Sequence, residues 1–234
     1  MVNFKIVSGF IPLPALRNIR PEQFKELGER LKSAVNACPN IFYEDDQISD
    51  CWAHKYIVRN GLAGQIWPYS PSPPDRFADR TTHLQSCIIM HQKQEWLCRA
   101  AIEDPGPDVF VWIDYGVLKQ TDMTEQVVRN FCDRLLNRHS VSLIEAPGIS
   151  ERRPVDADEK SWDRFCGSVV IEPRKHLFEL SRQMKAWTIR KMHEDKMISI
   201  ESNTLAHMEY DNRWPIRWYQ AWWGAPMFDN LPAE

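Results

Sequence analysis

The hydrophobic positions of this chain follow two rhythms that trade places along its length. Residues 4–10, FKIVSGF, form a β-rich apolar run, which predicts a first strand that gives way to a loop at Gly9. From Pro21 the spacing changes. Phe24, Leu27, Leu31 and Ala34/Val35 recur at helical intervals, so a helix is expected over 21–37 with the proline in its first turn. NIFYE at 40–44 predicts a second strand that closes on the acidic cluster Glu44, Asp45, Asp46, and a weaker strand pattern lies near 64–68. The stretch PYSPSPPDRFADR, 68–80, carries four prolines and predicts a loop, since proline suits neither a helix interior nor a central strand.

Beyond that loop the alternation continues. Residues 82–103 place Leu84, Cys87/Ile88, Trp96/Leu97 and Ala100/Ala101 on one side of a long helix. VFVWID, 109–114, is apolar almost throughout, the signature of a central strand covered on both faces. Asp122 and Glu125 supply a start signal for a helix running to about residue 137. VSLIE (141–145) and GSVVI (167–171) predict further strands; Pro173 opens a long helix to about residue 196, and a short helix follows Ser199. Strands alternating with helices imply an α/β fold, a mostly parallel central sheet flanked by helices in one domain spanning 1–234.

Composition narrows the function. A chain of 234 residues with 43% hydrophobic and 26% charged residues has material for a substantial core. The formal net charge is −3 and the basic residues form no stripe, which disfavours nucleic acid as the main partner. The apolar run at the start is too short for a signal peptide, and nothing approaches the roughly 18 apolar residues of a membrane span, so a cytosolic chain is expected. None of the six cysteines stands at C-x-x-C spacing, which makes a zinc knuckle improbable and small buried thiols the expectation. The 10 tryptophans suit either sugar stacking or core packing.

In open α/β sheets ligands bind beyond the carboxyl ends of the strands. The polar residues there are Ser8 and Gly9, Glu44–Asp46, Asp114–Tyr115–Gly116, and Glu145. Asp114 ends the apolar strand. A carboxylate there suits a divalent cation or a ribose, or simply caps the following turn, while Gly116 would let the backbone approach a ligand closely.

DVFVWIDYGVLK, 108–119, resembles the W-x-D-x-G segment of bacterial glycosyltransferase-like lipopolysaccharide and capsule proteins, at the place of the D-x-D motif in type A glycosyltransferases. HQKQEWLCRAAIEDP (91–105) resembles the helix before that motif, with Lys93 at its usual lysine. RFCGSVVIEP (164–173) is similar to the F-N-S-G segment lining donor and acceptor pockets, and SIESNTLAHM (199–208) to the acidic D-Q-x-x-L segment. The ordered set covers roughly residues 85–225. Three positions depart from it: Gly116 replaces the second aspartate, Cys166 the asparagine, and Glu201–Ser202 the Asp–Gln pair.

The resemblance implies a type A fold, with a donor part at about 1–120 and an acceptor side at about 121–234. It implies transfer of a sugar from a nucleoside diphosphate sugar, such as a UDP-sugar, to a glycan or other acceptor hydroxyl. The donor would contact Ser8, Gly9, Phe10, Arg80, Lys93, Asp114, Tyr115 and Gly116, and Asp114 would hold any Mn²⁺ or Mg²⁺. The diphosphate would be stabilised by Lys93, Arg80 or that metal. Glu201 is the first candidate for the base on the acceptor side, with His207 and Glu209 behind it. Gly167, Ser168, His207 and Trp222 would meet substrate, the last from the tryptophan-rich tail 214–223. The competing expectation is a non-catalytic module of the same fold that binds sugar nucleotide or glycan.

Overall fold

The strongest apolar run of the chain lies at the middle of a six-stranded sheet. The computed structural model describes residues 2–12, 21–45, 47–68, 79–120, 122–149, 164–211 and 214–232. In chain order the elements are β1 (Phe4–Phe10), α1 (Pro21–Ala34), β2 (Asn40–Glu44), α2 (Trp52–Arg59), β3 (Trp67–Pro68), α3 (Arg80–Met90), α4 (Gln92–Glu103) and β4 (Val109–Ile113). They continue with α5 (Glu125–Leu136), β5 (Ile144–Gly148), β6 (Val169–Pro173), α6 (Arg174–Glu194), β7 (Met197–Ile198), α7 (Glu201–Asp211), β8 (Ile216–Gln220) and α8 (Pro226–Asp229).

The main sheet has the order β2-β1-β4-β6-β5-β8, and β3 pairs with β7 in a separate two-stranded piece. β1 pairs parallel with β2 and β4, and β5 pairs parallel with β8. Only β6 is reversed against its neighbours β4 and β5. That reversal brings the start of β6 to the carboxyl end of β4, where the backbone N–H of Asp114 donates to the Ser168 carbonyl at 2.8 Å.

Strand pleating splits the core in two. Phe110 and Trp112 point into one apolar cluster with Trp96, Leu97, Leu180 and Met184; Val109, Val111 and Ile113 point into another with Leu31, Val128, Phe131 and Phe228. Every residue of β4 is buried, as its unbroken apolar run required. Burial of each such side chain stabilises by about 1.5–3 kcal/mol. Five of the six cysteines are buried, and all six are free thiols. Among the described residues no helix is long and apolar enough to cross a membrane.

Several boundaries differ from expectation. The helix expected over 82–103 is two helices that meet at His91, whose buried ring bonds the Ser199 carbonyl at 2.9 Å. The helix expected to residue 37 ends at Ala34, and Asn40 donates its side-chain amide to the carbonyls of Val35 and Cys38 just beyond. Thr124, not Asp122, caps α5, accepting from the Val127 N–H at 3.3 Å. The strands expected at 141–145 and 167–171 lie three and two residues later, because both incorporate prolines that normally mark breaks, Pro147 and Pro173. The expected strand near 64–68 shrinks to Trp67–Pro68, and α2 carries no side-chain cap to announce it. Most of the proline-rich loop, residues 69–78, and Asp46 lie outside the described residues.

Candidate functional site

The carboxyl ends of β1 and β4 open on a cleft of about 190 Å³. Its polar floor begins with Lys93 in the first turn of α4. The Lys93 ammonium lies 2.9 Å from Asp114 Oδ1, donates to the Gly167 carbonyl at 2.9 Å, and forms a short ion pair with Glu201 Oε1. One cation therefore joins residues from α4, the end of β4, the start of β6 and the first turn of α7. Asp114 is also held from its own strand, since the Trp112 indole N–H donates to Oδ1 at 2.7 Å.

Burial decides how these charges behave. The Lys93 and Glu201 side chains are 12% and 10% exposed, and Asp114 31%. Burial alone would push the ammonium down, but Asp114 and Glu201 together raise Lys93 to about 12, so it stays charged. For Asp114, burial pushes the carboxyl up, yet the charge and hydrogen bonds of Lys93, helped by Trp112, hold it below the usual carboxylate range. Glu201 goes the other way. Its burial, aided by the charge of Asp114, outweighs Lys93 and leaves its carboxyl raised.

The cleft walls are aromatic and apolar. Phe10, Phe24, Ile89, Met90, Trp96, Trp112 and Tyr115 line it, with Lys119 and Gln120 at its polar edge. Phe10 stacks on Tyr115 with centroids 5.0 Å apart, and Trp96 lies parallel to Trp112 at 5.7 Å. Packing at this density explains two glycines: a Cβ at Gly9 would overlap the Trp96 ring, and one at Gly116 the Phe24 ring. Gly116 thus accommodates a protein ring at the edge of the cleft it lines.

Of the residues expected at the site, Gly9, Phe10, Lys93, Asp114, Tyr115, Gly116 and Ser168 line the cleft together. Glu201 and Gly167 stand behind Lys93, where they line a small adjoining cavity. The rest lie elsewhere. Ser8 is fully buried and donates its hydroxyl to the Ile113 carbonyl at 2.7 Å, tying β1 to β4. Arg80 stacks its guanidinium on Trp67 and donates to the Ile66 carbonyl. His207 is buried against the Trp187 ring and pairs with Asp211, and Glu209 holds Arg164 in a buried ion pair. Trp222 is 65% exposed, whereas Trp223 packs against the core. Glu145 falls near the start of β5 and pairs with Arg138, because that strand begins three residues later than expected.

Sequence reasoning missed the second layer. Glu172, fully buried on β6, accepts from the Gln94 side-chain amide at 2.6 Å, and burial pushes its carboxyl up to about 7. Its only outward sign was an acid inside a strand pattern.

The donor set does not fit a divalent cation on Asp114. Hard cations want several oxygen ligands. Asp114 Oδ1 already accepts from Trp112 and Lys93, Gly116 contributes no second carboxylate, and the ammonium lies between the two acids. Among the described residues no three His, Cys, Asp or Glu side chains converge as metal ligands.

No protein-family model matches this chain, and no curated protein matches it in sequence. Among solved structures, the chain is similar to a glycosyltransferase involved in the glycosylation of the major capsid of PBCV-1, at 15% identity and a TM-score of 0.48 over 94% of this chain and 81% of that one.

Proposed function

We propose that this chain transfers a glycosyl group from a nucleoside diphosphate sugar to an acceptor hydroxyl. The observation that carries the reading is the Lys93 ammonium, fixed between Asp114 and Glu201 at the inner end of an aromatic-walled cleft. Departure of a nucleoside diphosphate leaves negative charge on its phosphates, and a preorganised cation in a partly dehydrated cleft stabilises that charge strongly. Aromatic walls suit a nucleobase and the apolar face of a sugar ring. Asp114 then anchors the donor side, and Lys93 takes the part that a metal would otherwise play.

Glu201 is the proposed acceptor-side base. Its Oε1 faces Lys93 in the free protein. A diphosphate that draws the ammonium towards itself loosens that pairing, and the raised carboxyl then accepts the proton of the attacking hydroxyl.

The test is a thermal-shift screen against UDP-, GDP-, CMP- and dTDP-sugars, with Mn²⁺ or with chelator, followed by a transfer assay on any donor that binds. Ligand binding to the folded state raises the melting temperature by mass action. Stabilisation by one donor class that survives chelation, followed by turnover, supports the reading. Binding without transfer or hydrolysis makes the chain a non-catalytic module, and no stabilisation by any sugar nucleotide refutes the proposal.

A further inference from the structure

Behind Lys93 lies a second, small space of about 20 Å³ whose lining includes Gln94, Glu172 and Glu201. All three side chains are at least nine-tenths buried. Each also keeps one oxygen with no hydrogen-bond partner among the described residues: Gln94 Oε1, Glu172 Oε2 and Glu201 Oε2. Three buried acceptors without a donor are costly, because each forfeits its hydration. A space of that size holds one water, which needs only about 10–15 Å³ and two to four polar partners.

Counting donors calls for one carboxyl proton, and the Lys93 partner of Glu201 against the neutral Gln94 partner of Glu172 assigns it to Glu172. One water offers two hydrogens, so three ionised or neutral acceptors would leave one unsatisfied. With a proton on Glu172 Oε2 the balance closes: the carboxylic O–H donates to the water, and the water donates to Gln94 Oε1 and Glu201 Oε2. We propose that Glu172 is a protonated positioning residue, joined to Glu201 through one buried water, which orients the Glu201 carboxylate and shares a proton with it.

Charge supports the same arrangement. Lys93 is a single cation against Asp114 and Glu201, and an ionised Glu172 would add a third carboxylate. Burial accordingly raises the Glu172 carboxyl to about 7. The titratable groups around it are Lys93, Glu95 and Cys98 from α4, Lys185 from α6 and Glu201 from α7; Arg174 lies over Phe110, its cross-strand neighbour. Glu95 and Lys185 neutralise each other in an ion pair. The part that this pair plays in turnover rests on the glycosyl-transfer reading; the pair itself does not.

Infrared spectroscopy of the purified chain tests it without any substrate. A protonated-carboxyl C=O band should be present at pH 6, fade as the pH rises through about 7, and vanish in Glu172→Gln. Absence at pH 6 of any such band that Glu172→Gln removes would overturn the proposal. A high-resolution crystal structure should show an ordered water within hydrogen-bond distance of the three oxygens, and a dry cavity would equally overturn it. Should Glu172→Gln fail to fold, Gln94→Met gives the second reading: the band persists but moves in frequency and midpoint, and an unmoved band refutes the bridge. Both measurements stand even if no sugar nucleotide binds.

Discussion

Trp112 donates its indole N–H to Asp114 Oδ1 at 2.7 Å, and the same oxygen takes the Lys93 ammonium at 2.9 Å. Residues two apart on a strand share a face. The W-x-D spacing therefore has a physical meaning: the tryptophan packs in the core and aims the carboxylate that follows it.

The first prediction concerns that carboxylate. Asp114→Asn keeps an oxygen for both donors, so the fold should survive with a melting temperature within a few degrees of wild type. Transfer from the donor should fall by about 100-fold or more, as when one preorganised electrostatic partner is lost. Parallel melting and transfer assays separate the outcomes. A variant that stays active but melts early would make Asp114 a turn acid with no part in the reaction.

Much of this framework was legible because apolar runs and glycines report local needs directly. VFVWID had to be a covered strand, and it lies at the centre of the sheet with the acid at its end. What could not be read depended on contacts between distant segments. The break at His91 exists because its ring meets Ser199, 108 residues away in sequence. Arg80 has a charge suited to phosphate, yet Trp67 captures it, and no local pattern announces that pairing. Glu145 missed the cleft because its strand begins three residues later than its pattern suggests, which sets it level with Val111 in the middle of β4 and not at a carboxyl end. Glu172 stayed hidden because an isolated strand acid gains its meaning only from Gln94 and Glu201, brought beside it by tertiary packing.

Lys93→Met should be the most damaging single change at the site. It leaves Asp114 and Glu201 without their shared cation, and an uncompensated buried charge costs about 3–5 kcal/mol. The sign of its pH dependence follows. Without the cation both carboxyls rise, so the folded variant binds more protons than its unfolded chain, and its deficit shrinks as the pH falls. Urea denaturation at pH 5 and pH 8 checks this, with the smaller loss expected at pH 5. Equal losses at both values would show that the lysine acts by packing alone.

His91 supplies an acid-sensitive pin. Burial pushes its ring down to about 4 despite the bond to the Ser199 carbonyl, so Nε2 donates from the neutral form. Between about 6.5 and 4 the unfolded chain takes up a proton that the folded chain refuses. The stability this histidine contributes is complete above about 6.5 and is lost as the pH falls through about 4, to a total of about 3 kcal/mol. Glu172, raised to about 7, acts in the opposite sense, its stabilising effect fading as the pH climbs from about 4.5. The difference between wild type and His91→Gln isolates the first effect. That difference should narrow as the pH falls from 7 to 4, and a constant offset would remove the titration from the explanation.

The last prediction separates base from scaffold at Glu201. This acid opens α7, two residues after the Ser199 carbonyl that His91 holds, and its Oε1 meets the Lys93 ammonium. Glu201→Gln keeps shape and an oxygen for Lys93 while removing basicity. A base acts on the transition state and contributes little to donor affinity, so kcat should drop by about 100-fold or more with the donor Kd nearly unchanged. The raised carboxyl adds a second mark: the acid limb of the wild-type pH–rate profile should lie above the ordinary glutamate range, and the variant should lack it. If donor affinity collapses instead, Glu201 serves the donor by holding Lys93 in place. If neither rate nor affinity moves, the residue is a helix N-terminal acid, and the acceptor's proton leaves by another group.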